Sequence, residues 1–170
     1  MGRPLEALTA VVVAAAVAAA TATATAADVS SNWAGYTVTG TGSTTAVASP
    51  AMSFTDVTGT WTQPAAVCVP GDTSSVAIWV GIGGYSTDAS ALEQAGTEVD
   101  CDASGKPTYS VWYELVPAPS VPVKLRVAPG DTITASVVVK GSDVLVQVKN
   151  RTRRTSFTKH RSEEHTSELQ

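Results

Sequence analysis

The feature that most constrains this chain is the way short β-type segments are punctuated by turn formers, with no sustained helical period anywhere among them. Candidate strands are Trp33 to Thr39, Phe54 to Gln63, Val76 to Ile82, Ala91 to Thr97, Tyr109 to Val116, Val123 to Val127, Thr132 to Lys140 and Val144 to Lys149. The stretches between them hold Thr39-Gly-Thr-Gly-Ser43, Pro70-Gly-Asp72, Gly83-Gly84, Ser104-Gly-Lys-Pro107, Pro129-Gly-Asp131 and Lys140-Gly-Ser-Asp143, each able to reverse the chain. Thr, Ser, Val and Gly recur through this middle region, and the helix formers Leu, Glu and Lys are sparse. The expected fold is all-β, an antiparallel β-sandwich of two packed, concanavalin-like sheets.

Neither end reads as part of that sandwich. Residues 1–27 carry Arg3, an Ala/Val-rich apolar run from Leu8 to Ala20 and small residues at Ala24-Thr25-Ala26, the layout of a secretory signal peptide. The run is shorter than the roughly 20 residues a bilayer-spanning helix needs. At the other end, residues 161–170 break abruptly in composition and match, residue for residue, the translation of a common sequencing adapter. They are read as a non-native tail, which leaves residues 28–160 as the N-terminal part of a β-sandwich domain expected to be incomplete at its C-terminus. This stretch has nine Lys and Arg against eleven Asp and Glu, and five of the nine basic residues fall after position 148. Such an acidic domain lacks the basic footprint of a nucleic-acid binder and suits an acidic, extracellular setting. Cys68 and Cys101 in an exported chain read as an intrachain disulfide.

The period of two of a strand sorts side chains onto faces. Val76, Ile78, Val80 and Ile82 share one face, which puts Trp79 on the other with Ala77 and Gly81. Tyr109, Val111, Tyr113 and Leu115 form a core set opposite Ser110, Trp112 and Glu114. Leu92 and Gln94 share a face that excludes Glu93. If the three non-core faces coincide they make an aromatic-lined polar groove, the usual form of an extended ligand site. Taken singly, each Trp is equally a packing residue and Glu114 a solvated strand carboxylate.

Several chemistries lack their residues. A Ser-His-Asp or Cys-His mechanism needs an imidazole, and the chain has only His160 and His165, at and within the suspect tail. No Cys/His pairs stand at zinc spacing, and Asp100-Cys-Asp102 is a poor calcium loop. No glycine loop precedes a helix to cradle phosphate, so neither metal nor cofactor is expected.

Six segments in order carry a resemblance: Ser31-Asn-Trp-Ala-Gly-Tyr36, Val57-Thr-Gly-Thr-Trp-Thr-Gln-Pro64, Trp79-Val-Gly-Ile-Gly-Gly84, Leu92-Glu-Gln-Ala-Gly96, Tyr109-Ser-Val-Trp-Tyr-Glu-Leu-Val-Pro117 and Pro129-Gly-Asp131. Together they resemble the eqolisin family of glutamic endopeptidases (the peptidase A4 family) in its secreted bacterial form. The resemblance implies a two-sheet sandwich with a substrate cleft and a catalytic Gln/Glu pair. It maps the catalytic Gln to Gln94 and the cleft-lining positions to Trp33, Trp79, Trp112 and Glu114. Gly83 and Ser110 depart from it, standing where fungal members carry Asp. The family's catalytic Glu lies on a later strand in a segment resembling Ala-Glu-x-Ile-x-Glu. The stretch from Thr152 to Thr158 resembles the lead-up to that strand, but the segment itself is absent.

What the resemblance implies is a secreted, acid-active endopeptidase acting on protein or peptide substrates, monomeric when complete and free of the membrane after signal cleavage, with this chain an inactive fragment of it. A carboxylate would serve as general base and then acid, and the Gln94 amide would hold the water and donate to the tetrahedral oxyanion. The competing reading is a non-catalytic carbohydrate- or peptide-binding sandwich, with a structural secreted domain third.

Overall fold

The computed structural model describes residues 33–38, 54–84 and 91–162, so the expected signal peptide and nearly all of the expected tail lie outside the described residues. Eight strands run in order: β1 (Asp56–Thr62), β2 (Ser74–Gly83), β3 (Leu92–Cys101), β4 (Pro107–Leu115), β5 (Val121–Val123), β6 (Thr132–Lys140), β7 (Asp143–Asn150) and β8 (Thr155–Arg161). They form two four-stranded sheets, β1-β6-β7-β8 and β2-β3-β4-β5, and every neighbouring pair is antiparallel. The protein is therefore the all-β sandwich that alternation implies.

Sequence dictates the β6–β7 hairpin most directly. Ile133, Ala135 and Val137 on β6 and Val144, Val146 and Val148 on β7 are buried, and their odd and even partners face outward. Lys140 pairs with Asp143 across a two-residue turn, and Gly141 takes a φ of 61° at the first central position, where such a hairpin favours glycine. From the second sheet Ala95, Val111 and Leu115 close the same core. Trp61 of β1 crosses the layers, its indole N–H donating to the Thr97 hydroxyl at 3.1 Å.

Strand limits differ from the sequence reading in three informative places. Residues 33–38 have no regular structure, so the expected strand at Trp33 is absent over these residues. They open on the N-terminal unit, residues 1–36, which is distinct from the unit that carries both sheets. Strand β3 runs four residues past Thr97 to Cys101 because it is paired on both sides, with β2 and with β4, along its whole length. The apolar run Val123 to Val127 is not a strand throughout; β5 stops at Val123, while Leu125 and Val127 plug the core from the connection to β6.

Two polar arrangements hold the ends. The Cys68–Cys101 disulfide, with Cα atoms 5.4 Å apart, ties the β1–β2 connection to the end of β3. Asp131 is 4 % exposed and its Oδ2 accepts from Ala128 N at 3.0 Å, Asn150 Nδ2 at 2.8 Å and Arg153 Nε at 2.6 Å. It thereby joins the loop before β6 to the β7–β8 turn. Burial pushes the Asp131 carboxyl up, and the hydrogen bonds from Arg153, Asn150 and Ala128 outweigh this and hold it below 3.8.

Candidate active site

Register decides which side chains meet. Strand β3 lies in the middle, with Gln94 directly opposite Gly81 of β2 and Glu114 of β4. The next row along is Trp79, Gly96 and Trp112. Directly opposed residues of an antiparallel pair project to the same side, so Gln94, Glu114 and both tryptophans share one face. It is the outer face, because Ala95, Thr97 and Val99 of β3 point the other way into the core.

Gln94 and Glu114 are both half-buried, and the Gln94 amide nitrogen donates to Glu114 Oε2. An ionised carboxylate accepts only, so this contact sets the amide's orientation: nitrogen toward Glu114, Oε1 away from it. One amide N–H and the Oε1 lone pairs remain for other partners. This contact between Gln94 and Glu114 is one that the sequence alone does not reveal.

Glycines make room for the aromatic walls. A Cβ on Gly81 would lie 3.2 Å from Cζ3 of Trp79, so the indole leans along its own strand over Gly81, toward the Gln94 row. A Cβ on Gly96 would lie 2.1 Å from the Ile78 carbonyl oxygen and 2.8 Å from both Cα and Cβ of Trp79. Only glycine permits that approach of β2 to β3. Trp79 is 40 % exposed, while the Trp112 indole N–H is buried and finds no acceptor among the described residues. Leaving such a donor unpaired costs about 1–3 kcal/mol.

Trp33, the fourth expected cleft residue, is 39 % exposed and belongs to the N-terminal unit. Gly83 has a φ of 90°, and a Cβ there would stand 2.4 Å from the Ala91 carbonyl oxygen. A side chain at position 83 does not fit this backbone. Glu93, adjacent to Gln94, is 5 % exposed on the inner side, where Arg161 Nη2 of β8 donates to its Oε1 at 3.0 Å. The boundary expected at His160 therefore falls inside a strand. The Asp102 carboxylate is occupied within the β3–β4 turn: Oδ1 accepts from the Ser104 hydroxyl and from the Ser104 and Lys106 amides. The Ser104 hydroxyl bond, then the Lys106 amide, lower its pKa from 3.8.

Alternation from Gln94 through Gly96 puts Glu98 on the same face, and the register sets it between Ala77 and Ser110.

The fold is an antiparallel sandwich with a glutamine and a carboxylate in contact on a tryptophan-flanked face. The model of the Peptidase A4 family matches residues 31–170. The chain belongs to the Peptidase A4, or eqolisin, family. Among solved structures it is similar to scytalido-glutamic peptidase with a transition-state analogue inhibitor, at 27% identity and a TM-score of 0.56, over 66% of this chain and 52% of that one. The same peptidase with a peptide-based transition-state analogue gives 28% identity and a TM-score of 0.55, over 65% and 51%. SCP-B, an eqolisin in complex with the tripeptide Ala-Ile-His, gives 26% and 0.50, over 66% and 50%. The chain thus spans about half the length of these structures. A search of curated proteins gives no match.

Proposed function

We propose that the full-length protein is a secreted, acid-active endopeptidase of the glutamic type, with Gln94 as the catalytic amide and Trp79 and Trp112 lining the substrate cleft. The observation that carries the reading is the Gln94–Glu114 contact at the tryptophan-flanked centre of the outer face, in a chain of the Peptidase A4 family. Substrates are proteins or peptides laid over this face. The attacking water is held by Gln94 Oε1. The amide N–H not engaged by Glu114 donates to the oxyanion as it forms, where a preorganised donor is worth about 10²–10³ in rate. The general base in this scheme is a glutamate of the full-length protein. It takes the water's proton and returns it to the leaving amine. No metal and no cofactor enters the scheme, and the protein acts as an extracellular monomer.

The test compares Gln94→Ala with Glu93→Ala in the full-length protein, measuring kcat/KM on an unstructured protein substrate at acidic pH together with thermal melts. Gln94→Ala is expected to remove most cleavage, by about 10²-fold or more, with a nearly unchanged Tm. Glu93→Ala alters the neighbouring residue, which faces the inner side of the sheet, and is expected to retain far more activity whatever it does to Tm. A Gln94→Ala enzyme with near-normal turnover refutes the assignment of Gln94, whereas a full-length protein that cleaves no substrate leaves a non-catalytic binding sandwich as the better reading.

A further inference from the structure

Six of the chain's eleven Lys and Arg fall within residues 124–134 and 149–154, against one carboxylate, Asp131. The fold brings these two segments together around Asn150, at the end of the β1-β6-β7-β8 sheet where β7 turns into β8. Asn150 Nδ2 donates to the Arg126 carbonyl at 3.0 Å and to Asp131 at 2.8 Å, and Arg151 N donates to the Thr132 carbonyl at 2.7 Å. Asp131 is buried and engaged by Arg153. That leaves Arg126, Lys149, Arg151 and Arg154 without a carboxylate in salt-bridge contact among the described residues. Arg126, between the buried Leu125 and Val127, and Arg154, in the turn, are exposed. The other two converge on one hydroxyl of the sheet's outer face: Lys149 lies directly opposite Thr134, and Arg151 Nε donates to Thr134 Oγ1 at 3.2 Å. Like charges held side by side repel, and an anion set between them turns that cost into attraction.

We propose that this basic end is a docking surface for an anionic polysaccharide, a binding activity separate from the Gln94 face and carried mainly by the other sheet. Charge complementarity sets the sign of the partner, and the neighbouring side chains set its class. Thr60 and Ser156 share the row of Thr134 and Lys149, and Thr62 and Thr132 form the next, so hydroxyls that can exchange hydrogen bonds with sugar hydroxyls flank the cations. A single-stranded nucleic acid calls for aromatic platforms on which bases stack, and a bilayer for apolar anchors. Among the described residues none of the exposed large apolar side chains lies in either segment, and the nearby Phe157 ring is stacked on Tyr113. Lys and Arg keep their charge in acid, so docking persists there on a glycan whose strongly acidic groups stay ionised. The inference uses no residue of the Gln94 face and stands whether or not the protein cleaves peptides.

The test measures binding of the full-length protein to fluorescently labelled heparin at about pH 5 over a range of salt, with neutral dextran as the control. Heparin is expected to bind, more weakly as salt rises, and dextran not to bind. Each exposed cation–anion contact is worth about two- to fivefold, so Lys149→Gln together with Arg151→Gln should weaken heparin binding by roughly four- to 25-fold. Arg126→Gln together with Arg154→Gln, which leaves the Thr134 contact in place, should weaken it by a similar factor. Lys140→Glu, at the opposite end of β6, removes as much net charge as either pair and should change the affinity by less than about twofold. Thermal melts check that each variant is folded. Absence of heparin binding, affinity unchanged in both paired variants, or an equal loss in Lys140→Glu overturns the inference. Equally tight binding of DNA or of anionic phospholipid vesicles at the same salt overturns the assignment to a polysaccharide.

Discussion

Replacing Asp131 by Asn changes one atom and removes one charge from a site where three donors converge. The carboxylate is 4 % exposed and accepts from Ala128, Asn150 and Arg153, while the Arg153 side chain is about one-third in solvent. An amide can place its one acceptor oxygen where Oδ2 stands but forfeits charge assistance to all three donors. Breaking a buried ion pair costs about 3–5 kcal/mol, and hydration of Arg153 reduces this to about 2–3 kcal/mol. For a domain of this size that lowers Tm by roughly 10 °C. The sign of the pH effect follows from the carboxyl being held below 3.8 in the folded state. Its stabilisation is whole above the unfolded value and is lost as pH falls through the folded one. Thermal melts of both proteins from neutral pH to below 3 should therefore show a gap near neutrality that narrows only under strong acid. Equal Tm values near neutrality, or a gap of constant width throughout, refute this account of Asp131.

Two further outcomes follow from particular contacts. Gly96→Ala should destabilise by about 1–3 kcal/mol or more in a urea melt, because its Cβ would overlap the Ile78 carbonyl, and should alter tryptophan fluorescence by displacing Trp79. Reducing the disulfide, which closes a 33-residue separation, should cost about 3–4 kcal/mol in the same assay, and unchanged stability with two free thiols would rule out that contribution.

Much of the site was legible without coordinates because a strand's period of two is a local property. Alternation within Trp79–Gly81, Leu92–Gln94 and Trp112–Glu114 assigns each residue a face from its neighbours alone, whatever the partner strand. The same rule, carried two steps further along β3, reaches Glu98. The turns were equally local: Gly71, Gly105, Gly130 and Gly141 all take positive φ where the sequence places a turn former.

What the sequence by itself determined, then, was the all-β class, the position of most strands and the face each side chain takes. Which strands neighbour one another, and at what register, was decided only by the tertiary structure, because pairing depends on contacts between residues far apart in the chain. That register makes Gln94 and Glu114 partners across β3 and β4, stacks the Tyr113 ring on Phe157 of β8, and sends Trp61 across the layers to Thr97. The polar anchors belong to the same category. Asp131, Asn150 and Arg153 are ordinary turn and strand-end residues in sequence, and the ion pair of Glu93 with Arg161 joins positions 68 residues apart. A buried charge is tolerated only where donors from distant segments converge on it, and no local pattern encodes that convergence.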